Sequence, residues 1–409
     1  MERFENIIIN AIKDVVSDIY ITGGHPMVTR KQGNIEFHQS IKWSHQEVDA
    51  LTRKLLTPPQ LTILQNRKSV DYAISISHAR LRINVFTTTR GLSMAIRILP
   101  GHIPTIEELN LHPSLNDIAK IKSGLILYCG STGVGKSTSV AAIIGEINNT
   151  RLSHIITLEN PIEYRFRSNK AFIQQRELDT HMPSFSQGLL DVLRENPDVI
   201  VVGEMREPET MRLTLNAAES GHLVLATMHS STPEEAIYRL CNAVPVEAQN
   251  EIRFQLASTL NWLIVQQLVF IERIGFQVPL LTIVKGTQSV KNLIRENKLH
   301  QLSSAIQIGK NEGMFSSERY LNEYLESREK FTPPMLTFRP STEIIDDIVY
   351  RSPLVEGKLG QMSAERQATR KGAEPIIIRT EYSAQDMEHI LTIDEDASLQ
   401  DVISKMEIR

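Results

Sequence analysis

Cysteine is scarce in this sequence, which has only Cys129 and Cys241 among its 409 residues. Because the two stand far apart and form no Cys-x-x-Cys pair, they exclude a disulfide framework and a four-cysteine metal site. Such sparing use of cysteine suits a reducing cytoplasm. Cys129 lies in an apolar run, and we interpret it as a small core residue.

The sequence also lacks a long hydrophobic run and an excess of basic residues. Its longest apolar candidate, 260–271, is too short and too often interrupted by Gln and Asn for a transmembrane helix. The first ten residues do not resemble a signal peptide. Lys and Arg number 44 against 48 Asp and Glu, a net charge of −4. We therefore expect a cytoplasmic protein without a transmembrane segment or a nucleic-acid partner.

The most informative stretch is 130–137, which fills every fixed position of the phosphate-loop pattern G-x-x-x-x-G-K-[ST]. A buried-strand pattern precedes it at 124–129, and apolar residues at helical spacing follow it at 137–147. In such a unit, backbone N–H groups and the helix N-terminus face the phosphates. Lys136 is expected to reach the β- and γ-phosphates, and the Ser137 hydroxyl to hold Mg²⁺. The predicted contacts with ATP in this segment are Ser131, Thr132, Gly133, Val134, Gly135, Lys136, Ser137 and Thr138.

Hydrophobic patterns divide the chain into four parts. Residues 1–99 read as an α+β domain, and a linker with proline and glycine follows at 100–117. Strands and helices then alternate over 118–330, which predicts an α/β domain with a parallel sheet and helices on both faces. Its last part, 233–325, reads as mostly helical. Residues 331–409 are predicted to form a partly flexible extension.

Carboxylates follow two of the predicted parallel strands. Glu204 comes just after the apolar run 199–202, at the sheet edge where ligands bind in such folds. We expect it to orient the attacking water and to help hold Mg²⁺ through water. Glu159 and Glu163 follow the run 155–158, although acidic residues are common after strands.

Two histidines bracket the predicted strand 223–226. His222 and His229 could sense the γ-phosphate or relay strain between subunits, and the alternative for each is a structural histidine. They are seven residues apart without cysteine partners, which argues against a zinc site.

Four segments follow the order of the Walker A, Asp box, Walker B and His box motifs of secretion ATPases: 130–137, 156–163, 196–206 and 218–229. Together they resemble the PilT-like branch, the type IV pilus retraction ATPases, and the similarity extends over nearly all of 1–325. Residues 292–296 resemble the family's C-terminal retraction motif. The resemblance implies a homohexameric ring in which a PAS-like N-terminal domain and a RecA-like P-loop core clamp ATP.

The resemblance also assigns roles to individual side chains. Arg82, Arg90 and Arg97 match the family's arginine-bearing strands and are expected to approach the phosphates, where cations neutralise developing charge. The alternative is that all three are surface residues of a strand. The implied catalytic residues are Glu204, Glu163, His229, Arg82 and Arg97, and the implied nucleotide contacts outside the loop are Glu159, His222 and Arg90.

Asn160 departs from the family pattern Glu-Asp-Pro-Ile-Glu, where an Asp occupies its place. If that carboxylate shapes metal or water placement, activity is reduced here, although Glu159 and Glu163 are intact. The family's extension ATPases carry a four-cysteine metal site. Two cysteines cannot build that site, so the sequence favours retraction over extension.

The leading prediction is an ATP-hydrolysing hexameric motor that retracts or disassembles a type IV pilus and thereby powers twitching motility. We expect it at the inner face of the cytoplasmic membrane, with an inner-membrane pilus or secretion platform protein and a related ATPase as partners. One alternative is an accessory retraction ATPase, or a traffic ATPase of a type II or IV secretion or conjugation system. Others are a nucleotide-gated structural ring with little turnover and a RecA-like nucleic-acid motor.

Overall fold

The computed structural model describes residues 1–14, 16–31, 34–76, 79–99 and 101–333. All of them belong to one compact unit, Met1–Asp347. Of the predicted extension 331–409, the part from 334 onward lies outside the described residues. Within the described ranges, no helix is both long and apolar enough to cross a membrane.

An antiparallel sheet with three helices forms the N-terminal part. Its strands are β1 (Asp18–Thr22), β2 (Pro26–Lys31), β3 (Asn34–Lys42), β4 (Ser69–Ile76), β5 (Ala79–Thr88) and β6 (Gly91–Leu99), and its helices are α1 (Glu2–Lys13), α2 (His45–Leu55) and α3 (Pro58–Arg67). The strand order is β3-β2-β1-β6-β5-β4.

Alternation along these strands explains how the sheet packs. Successive strand residues face opposite sides, and one side buries Ile19 and Ile83 in a core shared with Phe4 of α1 and Val48 of α2. The predicted α+β organisation of this part is confirmed. The PAS-like comparison stays a prediction. The sequence patterns did not predict α3, which begins directly at Pro58 because proline is well tolerated in the first turn of a helix.

A second, seven-stranded sheet forms the rest. Its strands are β7 (Gly124–Cys129), β8 (His154–Glu159), β9 (Phe172–Glu177), β10 (Val199–Val202), β11 (Leu223–Met228), β12 (Leu260–Ile271) and β13 (Phe276–Lys285). The helices around it are α4 (Lys136–Thr150), α5 (Phe185–Val192), α6 (Pro208–Glu219), α7 (Pro233–Asn242), α8 (Gln249–Thr259), α9 (Gln288–Arg295), α10 (Leu302–Ile308) and α11 (Ser317–Arg319). Further segments form 3-10 or π helices: Pro113–Lys120, Val246–Ala248, Leu299–Gln301, Gly309–Glu312 and Tyr320–Leu325.

The second sheet is mostly parallel and buried on both faces. Its order is β13-β12-β7-β11-β10-β8-β9, and only β13 runs antiparallel to its neighbour. Alternate residues of β7 enter two different cores, Leu125 and Leu127 on one side, Ile126 and Tyr128 on the other. This is why the run before the phosphate loop is apolar at every position. The predicted α/β class with a parallel-rich sheet is confirmed.

The region 260–285 differs from the mostly helical prediction. Strands β12 and β13 form a long antiparallel pair at one edge of the sheet, and β12 lies parallel to β7 on its other side. Residues 262–266 are buried without interruption, and a short continuous apolar run cannot be assigned to helix or strand from its periodicity. Pairing with β7 determines the strand conformation, and the helices of this region flank the pair instead of replacing it.

Candidate functional site

Four of the predicted motifs meet at one edge of the second sheet. Strands β7, β11, β10 and β8 are parallel neighbours, with Cys129 beside Met228 and Val202 beside Leu158. Their carboxyl ends therefore lie side by side. The phosphate loop follows β7, Glu204 follows β10, His229 follows β11, and Glu159 ends β8. Clefts at this edge are where open α/β sheets bind ligands.

The phosphate loop has a conformation that depends on glycine. Gly130 and Gly135 have φ of 147° and 90°, a region that other residues rarely adopt. A Cβ on Gly130 would lie 2.4 Å from the carbonyl oxygen of Gln266. Ser131, Thr132 and Gly133 are exposed, and Gly135 caps the fifteen-residue helix α4. An exposed loop that leads into a helix N-terminus is suited to binding phosphate groups.

Lys136 lies at the start of α4 and is 9% exposed. Its Nζ donates hydrogen bonds to the carbonyl oxygens of Gly130 and Ser131, at 2.8 and 2.9 Å. Burial lowers the pKa of Lys136, while the negative charge of Glu204 opposes that effect. An ammonium group has three protons, so one remains for a phosphate oxygen.

Ser137 and Thr138 are differently placed on the first turn of α4. Ser137 is exposed, whereas Thr138 Oγ1 accepts a hydrogen bond of 2.9 Å from the hydroxyl of Tyr164. This bond ties α4 to the segment after β8. Tyr164 was not among the predicted site residues.

The Glu204 carboxylate contacts two basic side chains. Its Oε1 lies 2.7 Å from Nε2 of His229 and 2.7 Å from Nε of Arg206. The turn that carries it is attached to β11, because the Thr227 hydroxyl donates to the Gly203 carbonyl and the Met205 N–H donates to the Thr227 carbonyl. The structure thus brings Glu204 and His229 together, at the sheet edge that also carries the phosphate loop.

Gly203 allows β10 and β8 to approach each other closely at this edge. A Cβ there would lie 2.8 Å from the Leu158 carbonyl oxygen and 3.3 Å from the Cα of Glu159. The glycine N–H also donates to the Leu158 carbonyl at 2.8 Å. No other residue fits this position without moving backbone atoms, so glycine here serves packing.

Arg82 links the N-terminal sheet to the acidic site. Its Nη1 lies 3.3 Å from Glu163 Oε1, and its Nη2 lies 2.7 Å from Asp71 Oδ2. The side chain is about one-third exposed. The structure therefore places Arg82 and Glu163 together, although Arg82 lies in the N-terminal sheet and Glu163 in the segment after β8.

Three predicted residues lie elsewhere in the chain. Arg97 is the cross-strand neighbour of Arg82, but its Nε binds Asp18 at 2.9 Å. Arg90 is exposed in the turn between β5 and β6. His222 precedes β11, at the opposite edge of the sheet from the phosphate loop, and its Nδ1 contacts the Ala217 carbonyl oxygen. About six residues of strand separate the two edges, roughly 20 Å. Within one chain His222 therefore lies away from the phosphate loop, and its contact with nucleotide stays a prediction.

Glu159 ends β8, is half-buried and lies beside Glu163. Thr157 Oγ1 and Gln175 Nε2 donate hydrogen bonds to its Oε1, at 2.6 and 3.0 Å. Burial raises the pKa of Glu159 to about 7, even though these hydrogen bonds favour the charged form. Glu159 is therefore a group that can change charge near neutral pH.

Replacing Glu159 with glutamine is expected to stabilise the protein more at pH 8 than at pH 5. An acid whose pKa is higher in the folded state loses stabilising free energy as pH rises, here from 4.5 to about 7. Glutamine stays neutral throughout and keeps the acceptor oxygen for Thr157 and Gln175. Thermal midpoints of both proteins at the two pH values test this. An equal difference in midpoint at both pH values would contradict it.

The chain is similar in sequence to known proteins of one family. The family model for type II/IV secretion system proteins matches residues 1–277. YggR of Escherichia coli K12, an uncharacterised protein, is 40% identical over 318 residues, covering 78% of this chain and 96% of its own. The type IV pilus retraction ATPase PilT of Pseudomonas aeruginosa is 37% identical over 304 residues, covering 74% and 88%.

Among solved structures, the pilus retraction motor PilT with bound ADP superimposes with a TM-score of 0.70 at 34% identity. The match covers 79% of this chain and 98% of that one. The resemblance that the four motifs indicate is thereby confirmed. The chain belongs to the type II/IV secretion system protein family.

Proposed function

We propose that this protein is an ATPase motor that assembles as a homohexameric ring and powers type IV pilus retraction. The observation that supports it most is the meeting of the phosphate loop, Glu204 and His229 at one sheet edge. PilT of Pseudomonas aeruginosa, described as a pilus retraction ATPase, adds the biological context. The protein is proposed to work at the cytoplasmic face of the inner membrane, against a pilus or secretion platform protein.

The donor set at this edge fits a magnesium nucleotide. Ser137 presents an exposed hydroxyl, and Glu204 presents an oxygen-only acceptor, the ligand types that Mg²⁺ prefers. Ser137 would hold the ion directly and Glu204 through water. When bound, Mg²⁺ neutralises charge on the phosphoryl oxygens. The exposed N–H groups of the loop and Lys136 bind the phosphates of ATP.

The remaining groups accept the proton of the attacking water, position the catalytic side chains and add positive charge. Glu204 accepts the proton of the attacking water, and His229, at 2.7 Å, orients that carboxylate. Arg82 holds Glu163 next to them and adds positive charge. Arg97 lies one strand away from Arg82 on the same face of the sheet, and Arg90 in the adjoining turn. Both are proposed to neutralise phosphate charge in the assembled ring.

A genetic experiment tests the retraction function. Deleting the gene in the bacterium that makes the protein is expected to leave pili that extend but do not shorten, as followed with fluorescently labelled pili. Complementation with wild type restores shortening, and complementation with the Glu204→Gln chain does not. If pili shorten normally in the deletion strain while secretion of folded proteins stops, the motor belongs to a secretion apparatus instead.

A further inference from the structure

A buried glutamine lies directly beneath the phosphate loop. Gln266, in β12, is 1% exposed. Its Oε1 accepts hydrogen bonds from the Tyr128 hydroxyl at 2.5 Å and the Ser139 hydroxyl at 2.8 Å. Its Nε2 donates to the carbonyl oxygen of Val134 at 2.5 Å. The side chain therefore joins β12, β7, α4 and the loop itself.

The chemistry of the partners determines which way the amide faces. A carbonyl oxygen only accepts hydrogen bonds, so the group beside Val134 must be the NH₂ of the amide. The hydroxyls of Tyr128 and Ser139 then donate to the amide oxygen. All of these groups are buried, so the loss of any one of these hydrogen bonds would leave a buried polar atom without a partner. Gln266 is thus held in one orientation by three partners.

This orientation has a consequence for the loop's N–H groups. Gly133 and Gly135 flank Val134, with φ of 84° and 90°, and glycine offers little steric resistance to rotation of the peptides around it. In a planar trans peptide the C=O and the following N–H point in opposite directions. When the Val134 carbonyl is held against Gln266, the N–H of Gly135 points to the other side of the loop, away from the core.

We propose that Gln266 is a positioning residue that shapes the phosphate loop for nucleotide through Val134. The inference rests on the proposed nucleotide-binding function and adds a residue outside all four sequence motifs. Gln266 does not touch the nucleotide. It keeps the loop in the conformation that presents its N–H groups, so that binding does not require the loop to be ordered first.

The test compares Gln266→Leu with Tyr128→Phe in the full chain. Both variants remove buried hydrogen bonds of the same network, but only the first releases Val134. Calorimetric titration with ADP is expected to give a Kd at least tenfold higher for Gln266→Leu and less than threefold higher for Tyr128→Phe, while both lower the thermal midpoint. A Kd for Gln266→Leu within threefold of wild type overturns the proposal. So does an equal rise in Kd for the two variants.

A second variant decides the matter if Gln266→Leu does not fold. In Gln266→Glu, a protonated carboxyl can donate to Val134, whereas a carboxylate repels that carbonyl oxygen. Burial favours the protonated acid, so the ratio of variant to wild-type Kd should fall at least fivefold from pH 8 to pH 6. A constant ratio overturns the proposal. If wild type itself binds no ADP, the proposed function fails together with the inference, and this outcome is distinct from loss of the Gln266 effect alone.

Discussion

Replacing Lys136 with alanine is expected to abolish ATP turnover and to weaken ATP binding by about a hundredfold. The ammonium group is the one cation on the phosphate loop, between Gly130 and Ser137. Hydrogen bonds that involve a charged group contribute about 1.5–3 kcal/mol each, and about 2.7 kcal/mol corresponds to a hundredfold change in Kd. Phosphate release under saturating ATP and calorimetric titration with ATP measure the two effects.

A matched control distinguishes the loss of the Lys136 charge from general damage to the fold. Lys120→Ala removes a lysine whose side chain is 78% exposed and paired with Asp117, so it should leave turnover unchanged. The Lys136→Ala chain should keep its fold, since the carbonyls of Gly130 and Ser131 can bind water when the side chain is absent. Turnover near the wild-type rate in a folded Lys136→Ala chain would contradict the role of the loop.

Replacing Glu204 with glutamine is expected to lower kcat for ATP hydrolysis by about a thousandfold with little change in the Kd for ATP. Glutamine keeps the size of the side chain and an oxygen to contact His229, but it cannot accept a proton from water. General-base catalysis typically contributes a factor of about 10²–10⁴. Single-turnover phosphate release with excess enzyme isolates this step from product release.

Glu207→Gln is the appropriate control for that experiment. Glu207 is an exposed residue three positions further along, and its side chain makes no capping bond to α6. The Glu207→Gln chain should hydrolyse ATP at the wild-type rate. A Glu204→Gln chain that binds ATP normally and also turns it over normally would remove Glu204 from the mechanism, and another residue would have to accept the proton of the attacking water.

The local parts of the candidate site could be predicted from the sequence. The phosphate loop occupies eight consecutive residues, and its conformation depends on its own glycines and on the helix that follows. His229 comes directly after an apolar strand and Glu204 two residues after another, and parallel strands bring their carboxyl ends to the same edge. These predictions need only short-range sterics and the rules of strand connection.

Residues from distant segments were predicted less well. Arg82 enters the site through contact between two sheets, and Arg97, its neighbour, instead pairs with Asp18. Gln266 lies in a segment that the patterns assigned to helix, so its position beneath the loop was missed. His222 comes just before the strand that His229 follows, and that strand holds the two histidines at opposite edges of the sheet.

The sequence by itself determined that this chain carries a phosphate loop, a parallel α/β core and a carboxylate at the strand end beside that loop. Only the tertiary structure decided what surrounds them: the Gln266 amide under the loop, the Arg82–Glu163 contact, and the burial that raises the pKa of Glu159 to about 7. Backbone sterics and periodicity act over a few residues. Strand pairing and desolvation depend on which distant segments pack together. That packing is determined by the apolar surface that the whole chain buries.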